Sequence, residues 1–122
     1  NETIIALDCR DDVFLVEPYT MLVCRITREL VVNALKHSHA IRIDVKLQQK
    51  YDIIALQVSD NGNGFSPASN DHFPHHGLAS IQEQISFLNG RITIKPNPEG
   101  GTKIRILIPM KGEESYASFV SR

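Results

Sequence analysis

Two short stretches hold residues whose types and spacing could do chemistry. In a segment of helical period, Arg25, Glu29, Asn33 and Lys36 fall at i, i+4, i+8 and i+11, so a guanidinium, a carboxylate, an amide and an ammonium share one stripe. His37 borders it. Taken alone, such a stripe is a solvated helix face with an Arg25–Glu29 pair. Asn33 departs from that reading, because a poor helix former in mid-helix is better accounted for when its side-chain oxygen has a partner. A divalent cation bound to phosphates is one such partner: hard cations take oxygen ligands, and magnesium at nucleotide sites uses few protein groups. The second stretch is "DNGNGF", residues 60–65, at the end of a mostly apolar run over 52–59. By itself it reads as a turn, since Asn-Gly and Asp-Gly pairs tolerate positive φ.

The elements that must position these groups follow from periodicity. The runs "TIIALD" and "VFLV", separated by "CRDD", predict two strands or a strand hairpin. Pro18 sits where a helix can begin, and Leu22, Ile26, Leu30 and Ala34, widened by Val23, Val31 and Leu35, predict a helix from Tyr19 to His37. Beyond His39 the period becomes two. Ile41, Ile43, Val45 and Leu47 alternate with polar residues, and "IIALQV" follows after "QQKYD", which predicts an antiparallel hairpin with one buried face. Residues 61–76 lack periodicity and predict a long loop ending at Gly77, a length that in compact domains marks a functional lid. Leu78, Ile81, Ile85 and Leu88 then predict a second helix stopped by Asn89-Gly90. "RITIK" and "TKIRILIP", joined by "PNPEGG", predict two closing strands. Hairpins interleaved with one-sided helices give an α+β two-layer sandwich, with helices on one face of a mixed, mainly antiparallel sheet.

At 122 residues, 42% hydrophobic and 22% charged, the chain is sized for a single core. A formal net charge of -1 offers no electrostatic case for nucleic acid or an anionic membrane. The cations Arg25, Arg28 and Lys36 interleave with acids and lack an aromatic platform, which also argues against nucleic acid. No apolar stretch reaches membrane-spanning length, and the expected form is soluble. Cys9 and Cys24 share no metal-like or redox-like spacing and read as small buried hydrophobes in a reducing, cytoplasmic compartment. His72, His75 and His76 in the loop suit a solvated lid better than zinc, which needs a fourth ligand and a rigid frame.

"RELVVNALKHSHA", "DNGNGF", "HHGLASIQEQI" and "GGTKIRI", in this order, resemble the N, G1 and G2 boxes and the terminal Gly-Thr strand of the GHKL ATPase superfamily. More closely they resemble the ATP-binding domain of sensor histidine kinases of the NarX/DesK kind, over about residues 20 to 109. The resemblance implies a Bergerat-type fold that binds ATP with Mg2+. It implies that Asp60 accepts a hydrogen bond from the adenine amine, while Gly62 and Gly64 let the backbone approach the base and Thr102 hydrogen-bonds in the same pocket. An ionised acid is acceptor-only, which agrees with preference for adenine over guanine. Gly77 and Leu78 would open a helix whose amides hold phosphate oxygens. Asn33 would ligate magnesium, Lys36 would lie near the phosphates, His37 beside the ribose-phosphate region, and Glu29 would be the N-box acid that orients water or supports phosphoryl transfer.

The implied activity is that of a protein histidine kinase, presenting the γ-phosphate to a histidine on a separate dimerisation domain, with a response regulator as indirect partner. Residues 1–110 would form this catalytic domain and 111–122 a polar tail. No phosphoacceptor helix precedes the first strands, so the chain reads as the cytoplasmic domain of a membrane-anchored bacterial sensor, without direct membrane contact of its own. The family's second helix often carries Met and Glu-Arg where this chain has Ile81 and Glu83-Gln84, so one basic contribution is missing. The rival readings are a GHKL conformational ATPase, in which Glu29 activates water, and a non-catalytic nucleotide-binding module. On the histidine kinase reading, Mg-ATP orders the lid, Ser66 to His76.

Overall fold

The computed structural model describes residues 2–10, 12–37, 39–62, 75–98 and 100–110. They form β1 (Ile4–Cys9), α1 (Tyr19–His37), β2 (Arg42–Lys50), β3 (Ile53–Asp60), α2 (His75–Phe87), β4 (Arg91–Pro96) and β5 (Thr102–Pro109). The strands make one sheet in the order β1-β2-β3-β5-β4. β1 runs parallel to β2 and every other neighbouring pair is antiparallel. Both helices pack on one face of this mixed, mainly antiparallel sheet, α1 over β2 and β3, α2 against α1 and β4.

Helical spacing decides which face of α1 is buried. Tyr19, Val23, Ile26, Leu30 and Ala34 recur every three or four residues and line the core, whereas Leu35, predicted to widen the stripe, is 42% exposed. Pro18 contributes the first helical acceptor, its carbonyl receiving the Leu22 amide at 3.1 Å, and the Glu17 carboxylate receives the otherwise orphaned Met21 amide. On α2, Leu78, Ile81 and Ile85 are buried and Leu88 is partly so. The helix ends at Phe87, and Asn89, whose φ is 62°, forms the left-handed cap beyond it, with the Gly90 amide returning to the Ile85 carbonyl at 2.8 Å. A side chain at Gly90 would meet the Leu107 carbonyl oxygen at 2.5 Å, so glycine there lets α2 turn directly into β4.

Strand alternation builds the opposing wall. Ile43 and Val45 of β2, Ile54, Leu56 and Val58 of β3, and Ile106 and Ile108 of β5 point at the helices. Three expectations are corrected. "VFLV" is not a strand: β1 finds its partner in β2, and a parallel pair needs a crossover, which α1 supplies. Residues 13–16 are the lead into that helix, held by the Val13 amide on Arg10 and the Phe14 amide on the Gln49 side chain, with Leu15 and Val16 packed against the core. Cys9 and Cys24 are exposed rather than buried, because β1 is an edge strand and Cys24 lies on the solvent side of α1. His75 and His76 belong to the first turn of α2, so the loop closes two residues before Gly77.

Candidate functional site

At one end of β3 the core stops being apolar. Asp60 and Thr102 are the buried polar residues among those described, each 8% exposed. Asp60 continues the series Ile54, Leu56, Val58 on the helix-facing side, paired across β2 with Ile43. One step beyond Ser59↔Lys103 in the antiparallel ladder, it faces Thr102, which heads the series Ile106, Ile108 on β5. A carboxylate and a hydroxyl therefore sit side by side at the end of the core. Burying a carboxylate against isoleucines is costly without compensating hydrogen bonds.

The surrounding backbone holds Asp60 in place. Its Oδ1 accepts the Gly62 amide at 2.8 Å, a local turn made by the side chain itself. The Asn61 carboxamide oxygen accepts the amides of Ile41 and Arg42 at 3.1 and 2.9 Å, tying this turn to the start of β2. From the β4–β5 connection, Asn97 Nδ2 donates to the Asp60 carbonyl at 2.8 Å and to Ser59 Oγ at 2.9 Å. Gly101 lies against Asp60 so closely that a Cβ would collide with its carbonyl oxygen and come within 2.8 Å of the Asn61 Cα. Gly100 and Gly101 have φ of 108° and 95°, which L side chains rarely adopt. The "DNG" stretch is thus a strand end rather than a hairpin turn. Among the described residues the glycines in the left-handed region are at 100 and 101, and Gly62 contributes its amide.

The remaining predicted residues lie on α1 and α2. Glu29 and Asn33 are half-buried at the border of the α1 core stripe, between Ile26, Leu30 and Ala34, while Lys36 is exposed one turn further on. Position 37 is the last residue of α1. Gly77 and Leu78 fall in the first turn of α2 rather than at its first residue, still among the four amides that have no acceptor within a helix. That turn carries no acidic residue, so nothing on it offsets the positive end of the helix dipole. Gly64, His72 and residues 66–74 of the expected lid lie outside the described residues, as does the tail 111–122.

Two contacts around the site escaped sequence reasoning. Asn97 holds the last residues of β3 from 37 positions away, and only its place in the turn-rich "PNPEGG" hinted at a structural role. Arg25 does not close the i, i+4 pair with Glu29; its Nη2 donates to Gln84 Oε1 of α2 at 2.7 Å. Gln84, the departure noted above, therefore bridges the helices, and the cation at this place comes from α1.

Residues 20–112 match the family of histidine kinase-, DNA gyrase B-, and HSP90-like ATPases. The chain is similar to the sensor protein VraS of Staphylococcus aureus, 33% identical over 92 residues, and to that of Staphylococcus epidermidis, 31% identical over 91 residues. In each case the match covers 75% of this chain and 26% of the relative, so the chain spans about a quarter of the length of these proteins. Its fold is similar to that of the histidine kinase domain of a blue-light activated histidine kinase from Erythrobacter litoralis, with a TM-score of 0.75 at 15% identity over 93% of this chain and 54% of that one. It is also similar to the ATP binding domain of PrrB from Mycobacterium tuberculosis, with a TM-score of 0.68 at 19% identity over 88% and 79% of the two chains. With the matched segment running from the start of α1 past the end of β5, and so through every element that frames Asp60, the chain belongs to the family of histidine kinase-, DNA gyrase B-, and HSP90-like ATPases.

Proposed function

We propose that this chain is the ATP-binding catalytic domain of a two-component sensor histidine kinase, with residues 1–110 as the nucleotide-binding unit. The observation that carries the reading is the Asp60–Thr102 pair, a buried carboxylate and hydroxyl at the end of an otherwise apolar core. The Gly62 amide uses one acceptor position of Asp60, and an ionised carboxylate has several more. The adenine amine suits that capacity, and Thr102 beside it offers a donor or acceptor to a ring nitrogen or to a bridging water. The amides of the first turn of α2 suit phosphate oxygens.

A magnesium ion would be held by the Asn33 side-chain oxygen together with phosphate oxygens; bound there, it would supply neutralisation of phosphate charge. Asn33 fits such a role, being a half-buried mid-helix amide on the rim of the core. Lys36 would add charge near the phosphates, and His37 and Gly64 would complete the nucleotide's surroundings. Glu29 would support transfer. The domain's contribution to catalysis is orientation and charge stabilisation, with the attacking histidine on a separate dimerisation domain and a response regulator downstream.

Two measurements test this. Calorimetry of the purified chain should show Mg-dependent binding of ATP in preference to GTP. Mixing the ATP-loaded chain with a histidine-bearing dimerisation domain should produce an acid-labile, alkali-stable phosphoryl group on that domain, and the chain alone should produce none. Binding without transfer in the mixture, accompanied by steady phosphate release to water, would replace the kinase reading with that of a conformational ATPase.

A further inference from the structure

The sheet face turned away from the helices is cationic on one side, although the chain as a whole carries a net charge of -1. On that face β4 presents Arg91, Thr93 and Lys95, and β5 presents Lys103 and Arg105; the four cations are exposed, and no residue of β3, β4 or β5 on this face is acidic. Lys95 and Lys103 are direct cross-strand partners, an arrangement of like charges that weakens a sheet. On the β1–β2 side the charges are of both signs instead: Arg42 forks onto Asp44 at 3.0 Å, and Lys46 stands opposite Asp8 in the strand register. The Asp44 hydrogen bond and charge raise the Arg42 pKa above its ordinary value. Among the described residues, none of the β4 and β5 cations has an ion-pair partner.

We infer that this half of the open sheet face docks an extended, carboxylate-rich segment of a protein partner. Charge complementarity sets the sign of the occupant, and the spacing of the cations along β5 sets its class. Depressions of about 840 and 400 Å³ adjoin this half: Lys103 lines the first together with Asp8, Arg42, Asp44 and Lys46 of the β1–β2 side, and Arg105 lines the second together with Asp12 and Tyr51. Lys103 and Arg105 are two residues apart on β5, so their side chains stand roughly 7 Å apart, the spacing of alternate side chains on an extended segment. Gln57 and Ser59 on β3 add hydrogen-bonding groups beside them, and the absence of aromatic side chains on these three strands' share of the face removes the stacking platform that single-stranded nucleic acid uses. The inference does not rest on the nucleotide reading, because the docking face and the Asp60–Thr102 side chains are on opposite sides of the sheet.

Fluorescence anisotropy of a labelled deca-glutamate peptide with the purified chain tests it. Binding should be saturable, weaken steeply as salt rises, and fall about tenfold in K103Q/R105Q, as expected for two exposed charge pairs. The R25Q/R28Q variant, which removes the same charge from α1, should bind the peptide as the parent does. Circular dichroism and thermal melting confirm that both variants are folded. Equal loss in the two variants, or no loss in K103Q/R105Q, would overturn the inference. So would capture by vesicles of 7:3 phosphatidylcholine to phosphatidylglycerol, or by oligothymidylate, in preference to the peptide.

Discussion

Asp60→Asn is the most informative single change, because it keeps shape and alters only charge and hydrogen-bonding sense. In the parent, the Gly62 amide at 2.8 Å fixes one carboxylate oxygen as an acceptor, and on the proposed reading the rest of the carboxylate serves the adenine amine. An asparagine has one oxygen and one donor group. If its oxygen stays with Gly62, the side-chain NH2 faces the adenine amine, donor against donor; if the amide flips, the clash moves to Gly62. Either way, a charge-assisted hydrogen bond of about 1.5–3 kcal/mol is lost, and a buried donor left unsatisfied costs about 1–3 kcal/mol more. A total of roughly 3 kcal/mol corresponds to about two orders of magnitude in ATP affinity. The fold should survive, since exchanging a carboxylate that is 8% exposed for a neutral amide removes a desolvation cost as well as a favourable bond. Calorimetry with Mg-ATP reads the affinity, and a thermal melt shows whether the variant is folded. A folded variant that binds ATP within about threefold of the parent would refute the adenine role of Asp60.

Gly101→Ala should destabilise the domain by about 1–3 kcal/mol, because alanine at a φ of 95° is strained and its Cβ would strike Asp60. An unchanged melting temperature would contradict that packing. Asn33→Ala should lower ATP affinity in magnesium but not in EDTA, so equal losses in both conditions would remove it from the metal. Ile26→Ala, at a fully buried position facing the sheet, should cost about 2–5 kcal/mol by denaturant unfolding while leaving ATP affinity of the folded fraction intact. A cost below about 1 kcal/mol would mean that the α1–sheet contact is looser than described.

The sequence alone determined the element types, because each is written in a local period. The recurrence of Val23, Ile26, Leu30 and Ala34 specifies a helix face, and the alternation of Ile54, Leu56 and Val58 specifies a strand face, whatever they pack against. The resemblance carried by four ordered motifs also named Asp60 and Thr102 together, and the ladder of β3 against β5 sets them side by side at the end of the core. What the sequence left open was partner choice. "VFLV" has strand composition, yet β1 pairs with β2 from beyond α1, and nothing local to either segment states that a parallel partner lies some forty residues away. The same holds for the Asn97 side chain on Asp60, and for Arg25, which turns from Glu29 on its own helix to Gln84 on the other. Charge shows the difference most plainly. A sum over the chain is blind to place, so -1 promised no electrostatic surface, while the register of β4 against β5 sets Lys95 beside Lys103 and gathers the cations on one face. Periodicity is a property of neighbours along the chain, which the sequence contains; juxtaposition across strands is set by which register buries the most apolar surface, and only the folded sheet decides it.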